Sequence, residues 1–574
     1  MDLTTRARTL ASGALALVAA MLLAAAPPAR AATITIVNKD GAGEGFSDPT
    51  PAAPVGGNPG TTIGQQRLNV FQRAAEIWGG ILPSPVAILV DAYFNPLACD
   101  ATSGVLGSAG PVTIHANFAG AEFTNFWYHQ ALANKERGVD NTATYSDIQA
   151  TFSSTLGDPG CLGGTPWYYG LDHNHGAGID LLAVVLHELA HGLGFSTTTS
   201  VSTGAYAGTT PLPGLWDRFL LNRATGLHWN QMSAAQRVAS AISTGNLVWD
   251  GKAVTFMAPF TLTNAAQVLV NAPAGIAGSY AAGVASFGAP ISLAGVTSSV
   301  VLSNDGGGVS TSDACGPLTN AAQVSGHIAF VDRGNCSFSQ KALNVQNAGA
   351  VGLLVANNTS GTVDMVGSDP VNDPNIILPI LSVSQADGNT IRGQLGVGVN
   401  ATLGLNPGRL SGASPEGRAQ MYAPNPVEGG SSVSHFDVSA RPNLLMEPVI
   451  NGDLGDNVDL TRYLFEDLGW VPRTTAVAPA PITPALALRS APNPFRAETQ
   501  LRVDLAGAGV VDLTVFDLAG RPVRHLLSSW QPAGPLTVSW DGTDLSGSGV
   551  PAGVYLTRLR TAAGAVTMRV VRIE

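Results

Sequence analysis

VVLHELAHGLGFS, residues 184–196, sets His187 and His191 four residues apart inside an apolar run, with Glu188 directly after the first histidine. The surrounding stretch GIDLLAVVLHELAHGLG, residues 178–194, predicts an α-helix with Asp180 as its N-cap. On a helix, positions i and i+4 share one face. His187 and His191 therefore point the same way, and their ring nitrogens can grip one zinc ion. Glu188 is placed to take a proton from a water in the open coordination position. A helix built only for a core has no use for His, Glu and His together in an apolar run. The pattern is that of metal-assisted peptide hydrolysis.

A catalytic zinc takes a third protein ligand. A glutamate on a following helix is excluded, because no glutamate occurs between Glu188 and Glu416. A third histidine shortly after Gly194 is absent too, since Thr197 occupies that position. Asp217 is an outside candidate. The later histidines are His228, His327, His435 and His525. His228 lacks supporting context, His327 sits in a strand-like run, and His525 lies in the tail. His435 has context, in SSVSHFDVSARPNLLMEP (431–448), ahead of Met446. His173 and His175, beside Asp172, read as a solvated loop before a second metal site.

The chain of 574 residues is too long for one ordinary domain. It is 45% hydrophobic and 12% charged, with 67 glycines, which suits a loop-rich globular protein containing β-structure. A net charge of −11 argues against nucleic acid as a partner. Arg6 and Arg8, an apolar stretch, and Ala29-Arg30-Ala31 read as an export signal over residues 1–31. No later stretch is long and apolar enough to span a bilayer. The expected product is secreted, or retained in the periplasm or at the cell surface. The four cysteines form two local sets, Cys99 with Cys161 and Cys315 with Cys336. An even count in an exported chain suggests disulfides.

Texture divides the rest. Residues 32–264 carry a strand at TITIV, and a helix with Leu68, Phe71, Ala75 and Trp78 on one face. That helix is expected to stop at Gly79 and Gly80. VAILVDAYF (86–94) reads as a buried strand. TYSDIQATFSS (144–154) reads as an edge strand that pairs with extended substrate. Residues 265–405 alternate short strands and helices as a separate α/β unit. Residues 406–470 return to the first texture and end in a helix over 459–470. A Pro/Ala-rich linker covers 471–490, and alternating strands over 491–574 predict a β-sandwich.

HELAHGLGFS followed far downstream by SHFD and NLLMEP resembles the leishmanolysin-like zinc metalloproteases, which are metzincins. The resemblance implies an α+β zincin-type catalytic domain in two pieces. It implies His187, His191 and His435 as ligands of one zinc, Glu188 as general base, Gly194 as the chain reversal and Met446 as the turn methionine. The cysteine-rich body usual in that family is absent. GHIAFVDRGNCSFSQKALNVQNAGAVGLLVAN, with ILPILSVSQADGNTIRGQL, resembles the protease-associated (PA) domain. Such domains often place a disulfide where Cys315 and Cys336 stand. The tail resembles the Ig-like domain of flagellar hook-capping proteins, and related C-terminal modules serve bacterial secretion machinery. The expectation is a secreted zinc endopeptidase acting on proteins or peptides, with nothing indicating calcium. The alternative is a non-catalytic surface or adhesion protein with a structural zinc, binding through its PA-like and Ig-like modules.

Overall fold

The structure is a computed structural model that describes residues 31–471, 488–517, 521–545, 547–561 and 564–573. The expected export segment, apart from Ala31, and most of the expected linker lie outside the described residues. The described chain forms two compact units, one ending at Trp470 and one beginning at Val471.

In the first unit, β1 (Ile34–Asn38), β2 (Ile88–Asn95) and β4 (Ile148–Ser153) run parallel, and β3 (Gly107–Pro111) runs antiparallel to β4. The order is β1-β2-β4-β3. This corrects the reading of residues 144–154 as an edge strand, because 148–153 form the inner strand β4. The edge is β3, whose Gly-Ser-Ala-Gly-Pro sequence has no β-branched or aromatic residue to announce a strand.

Helix α1 (Ile63–Ile81) starts where the Thr62 side chain accepts a hydrogen bond from the Gln65 N–H. It lays Phe71, Ala74 and Trp78 on the sheet, all fully buried. Phe71 packs against Phe46, Phe94 and Phe152 at ring distances of 4.7–5.9 Å. Removing such a ring costs roughly 3–5 kcal/mol. Gly79 and Gly80 lie within α1 and do not stop it. A Cβ on Gly79 would sit 2.6 Å from the Ala32 carbonyl oxygen, so this glycine permits a close approach. The helix gives way before Pro83, which disfavours helical geometry at Leu82.

Helix α2 (Gln130–Arg137) precedes β4, and α3 (Leu181–Leu193) carries the histidine pair. Every residue of α3 is buried. That fits its nearly all-apolar sequence, because a helix hydrophobic all round must be covered all round. Asp180 caps it, accepting a 2.9 Å hydrogen bond from the Leu182 N–H. The last helix of the unit, α4 (Asp459–Leu468), ends at Gly469 in the left-handed region. Its Phe465 ring meets Trp78 of α1 at 5.2 Å. Trp78 and Trp470 each donate an indole N–H to a carbonyl of α3, at Leu186 and Leu193.

Between α3 and α4 the chain makes an eight-stranded sheet. Strands Val296–Leu302, Ile328–Asp332, Gly352–Ala356 and Ile380–Val383 run parallel in succession. The entering strand, Asn264–Ala272, pairs antiparallel with the leaving strand, Val399–Leu410, and Asn264 faces Leu410. Entry and exit are therefore neighbours, so a long excursion returns the chain to its starting point. Loop-closure entropy grows only logarithmically with length, which keeps the cost of such an excursion small. Disulfides join Cys99 to Cys161 and Cys315 to Cys336.

In the second unit, strands Leu488–Ala491, Thr499–Leu505 and Gly534–Trp540 form one sheet. Strands Pro522–Gln531, Gly509–Phe516, Gly553–Thr561 and Gly564–Arg572 form the other. Leu501, Val503, Leu513, Val515, Trp540 and Leu559 share one core, which makes a β-sandwich.

Candidate metal centre

Helix α3 presents His187 and His191 on one face, and the returning chain brings His435 to meet them. The three Nε2 atoms stand 3.1 Å (His187–His435), 3.2 Å (His187–His191) and 3.2 Å (His191–His435) apart. Among the described residues this is the one group of three or more His, Cys, Asp or Glu side chains gathered closely enough for a metal ion. Each ring donates from Nδ1 to a backbone carbonyl at 2.7 Å: His187 to Leu445, His191 to Phe195, His435 to Ser431.

A carbonyl can only accept, so each Nδ1 carries the proton and each Nε2 presents a lone pair. Burial keeps the rings neutral, holding His187 down to about 3, His191 to about 4, and His435 well below its usual value. Three lone pairs aimed at one another have no proton to share and repel. A cation between them removes the conflict. Zinc–nitrogen bonds of about 2.0–2.1 Å would suit nitrogens at this spacing. The donor set fits zinc.

Glu188 lies beside the triad. Its Oε2 is buried and has no hydrogen-bond partner in the protein. Burial pushes its carboxyl up to about 8, opposed by a hydrogen bond from the Ala109 backbone. A cation among the imidazoles would work against that rise. A Cβ on Gly107 of β3 would sit 2.9 Å from Glu188 Cγ, so only glycine leaves the carboxylate its room. Edge strand β3, the triad, Ser196 and the segment Pro448–Ile450 line one open cleft of about 980 Å³.

Gly194 ends α3 at a φ of +130°, a value that favours glycine. The turn it allows puts the Phe195 carbonyl against His191. Met446 is fully buried, and its carbonyl accepts from the Phe436 N–H, one residue after His435. Asp217 is not at the centre. It accepts from Thr197, Thr199 and the Gly214 N–H, and braces the loop after α3. His228 pairs with Asp250, His327 meets Ser298, and His525 meets Thr514. His173 and His175 lie apart from the triad and make separate hydrogen bonds.

Sequence reasoning missed the groups that hold the ligands. Backbone carbonyls leave no mark in a sequence. Asp459, which accepts a 2.5 Å hydrogen bond from the Leu445 N–H, looked like an ordinary start of α4. Nothing in GSAGP marked β3.

Two family profiles match the chain. The PA domain covers residues 296–391 and the FlgD Ig-like domain covers residues 493–564. The chain therefore contains a PA domain within its first unit and a FlgD-like Ig domain in its second. Human ER degradation-enhancing alpha-mannosidase-like protein 3 is 34% identical over 116 residues, 19% of this chain and 12% of that protein. Signal peptide peptidase-like 2 of Arabidopsis thaliana is 37% identical over 112 residues, 20% of this chain and 17% of that protein. The minor extracellular protease Vpr of Bacillus subtilis is 34% identical over 79 residues, 14% of this chain and 9% of that protein. The chain thus spans less than a fifth of each of these relatives. Among solved structures, an aminopeptidase from Aneurinibacillus sp. strain AM-1 aligns at 20% identity over 25% of this chain and 31% of its own, with a TM-score of 0.19. A zinc aminopeptidase from Bacillus subtilis aligns at 18% identity over 27% and 36%, with a TM-score of 0.18. Alignments this partial do not assign the part of the chain that carries the triad. No described helix is long and apolar enough to cross a membrane.

Proposed function

We propose that the chain is a secreted zinc-dependent endopeptidase of the leishmanolysin-like metzincin type. The observation that carries the reading is the convergence of three neutral Nε2 lone pairs beside a buried, half-unpaired carboxylate. His187, His191 and His435 would hold the ion. Zinc bound there supplies a Lewis acid that lowers the pKa of a coordinated water to about 7.

The remaining chemistry belongs to the chain's own groups. Glu188 Oε2 faces no protein donor, so it is free to accept a proton from water and pass it to the leaving amine. The Ala109 N–H steadies the same carboxylate. β3 has β4 on one side and no strand on the other among the described residues. It can therefore take an extended peptide as an added strand along the cleft. In this reading substrate would pair with β3 rather than with residues 144–154. Pairing along a strand, with chain continuing past both ends of the site, favours internal peptide bonds.

The protease named among the relatives agrees with this reading, as does the PA domain within the unit that carries the triad. The alternative of a non-catalytic zinc protein leaves the unpaired Glu188 oxygen without a use. The Ig-like domain would engage secretion machinery or the cell surface. The test is metal removal. Chelation should abolish casein hydrolysis and stoichiometric zinc should restore it. Hydrolysis that survives complete zinc removal would refute the proposal.

A further inference from the structure

His173 lies on the loop before α3, between Asp180 and Asp456, and the activity proposed above makes no use of it. Its Nδ1 lies 2.5 Å from Asp180 Oδ2 and its Nε2 lies 3.1 Å from Asp456 Oδ1. Asp180 is buried and caps α3 with its other oxygen, while Asp456 is exposed and bonded to Arg73 of α1 at 2.5 Å. Two residues on, His175 makes a parallel pair of contacts, from Nδ1 to the Gly178 carbonyl and from Nε2 to the Gly452 carbonyl. The 173–175 loop thus fastens segment 448–456 to the N-terminus of the helix that carries His187 and His191. The first residues of that segment, Pro448, Val449 and Ile450, form a wall of the cleft.

Both groups facing His173 are carboxylates, which only accept hydrogen bonds. The imidazole can satisfy both only when both nitrogens carry protons. A neutral ring must give up one bond. We propose that His173 is a positioning residue that closes the cleft wall when protonated and releases it when neutral, so that peptide affinity at this site depends on pH. This rests on the peptidase reading only for its kinetic consequence.

His175 faces two carbonyl oxygens, so a neutral His175 also gives up one contact, and His173→Asn separates the two rings because it leaves His175 in place. Arg73 is held by Asp456 and by Glu76. Asp172 is occupied by Tyr168 and Asn174. Hydrogen bonds from His173 to Asp180 and Asp456 raise its pKa above the ordinary 6.5, against the opposing effect of burial. The sign follows. The clamp is whole below pH 6.5 and is lost as pH rises through the raised value. His173 also sits at a φ of +59°, where asparagine is tolerated better than most residues.

The experiment uses the full chain as wild type, His173→Asn and Asp456→Asn. It reads three quantities against pH: the His173 imidazole titration by NMR, hydrogen exchange of residues 448–456 corrected for intrinsic rate, and KM for a peptide. In wild type, protection of 448–456 should fall and KM should rise roughly three- to tenfold as His173 loses its proton. His173→Asn should show the weakened values at every pH, and Asp456→Asn should lower the imidazole pKa. A His173 that titrates below 6.5 overturns the inference. So does wild-type protection and KM in His173→Asn. The exchange result needs no activity, so an inactive chain with proton-dependent protection would sink the peptidase reading alone. An active enzyme with pH-independent protection would sink the clamp alone.

Discussion

The carbonyl oxygen of Leu445 accepts a 2.7 Å hydrogen bond from Nδ1 of His187, across 258 residues of chain. The same residue donates its N–H to Asp459 at 2.5 Å. A half-buried carboxylate on α4 thus holds the backbone at Leu445, whose carbonyl in turn orients a histidine on α3. Asp459 adopts a φ of +39°, uncommon for a residue other than glycine, and its carboxyl is pushed up to about 6 by burial. Strain and burial of this kind persist only where the surroundings enforce them.

Asp459→Asn should therefore weaken zinc binding about 10–100-fold, the usual cost of disturbing groups that orient metal ligands. Competition with a chelator of known affinity reads this directly. Unchanged zinc affinity would show that the Leu445 carbonyl is held well enough without the carboxylate.

Glu188→Ala should leave zinc stoichiometry intact and reduce turnover by about 10²–10⁴-fold, the range of a lost general base. Metal content and casein hydrolysis are measured on the same preparation. Full activity in this variant would end the peptidase assignment.

Gly107→Val should retain zinc and lose at least about tenfold in kcat. The new side chain must displace Glu188, because its Cβ alone would stand 2.9 Å from Glu188 Cγ. Wild-type kcat would place the reacting carboxylate elsewhere.

The bridge between Cys99 and Cys161 closes a separation of 62 residues that includes β3 and β4. Replacing both with alanine should lower stability by roughly 2–4 kcal/mol. Thermal unfolding of the chain, with and without reductant, checks it. An unchanged midpoint would mean that the sheet holds this region unaided.

The helix, its N-cap and its two histidines were legible because they obey a 3.6-residue period inside a single apolar run. His435 was not reachable that way. Its link to α3 passes through an inserted sheet of 264–410, and only resemblance at SHFD and NLLMEP pointed to it. The sheet edge was misplaced for a physical reason. Residues 148–153 alternate like a strand with one open side, yet β3 covers that side with glycine, serine, alanine and proline, which carry no periodic signal. Gly79 and Gly80 misled in the same way. Local propensity marks a helix end, but tertiary packing against Ala32 demands a residue without a Cβ inside the helix.

In the proposed centre the third ligand, His435, stands beyond the inserted domain. Zinc content and casein hydrolysis of His435→Ala, beside wild type, test it most directly. His435→Ala should lose both zinc affinity and activity while remaining folded. Retention of stoichiometric zinc and of hydrolysis would contradict it, and would mean that the site is completed by another residue.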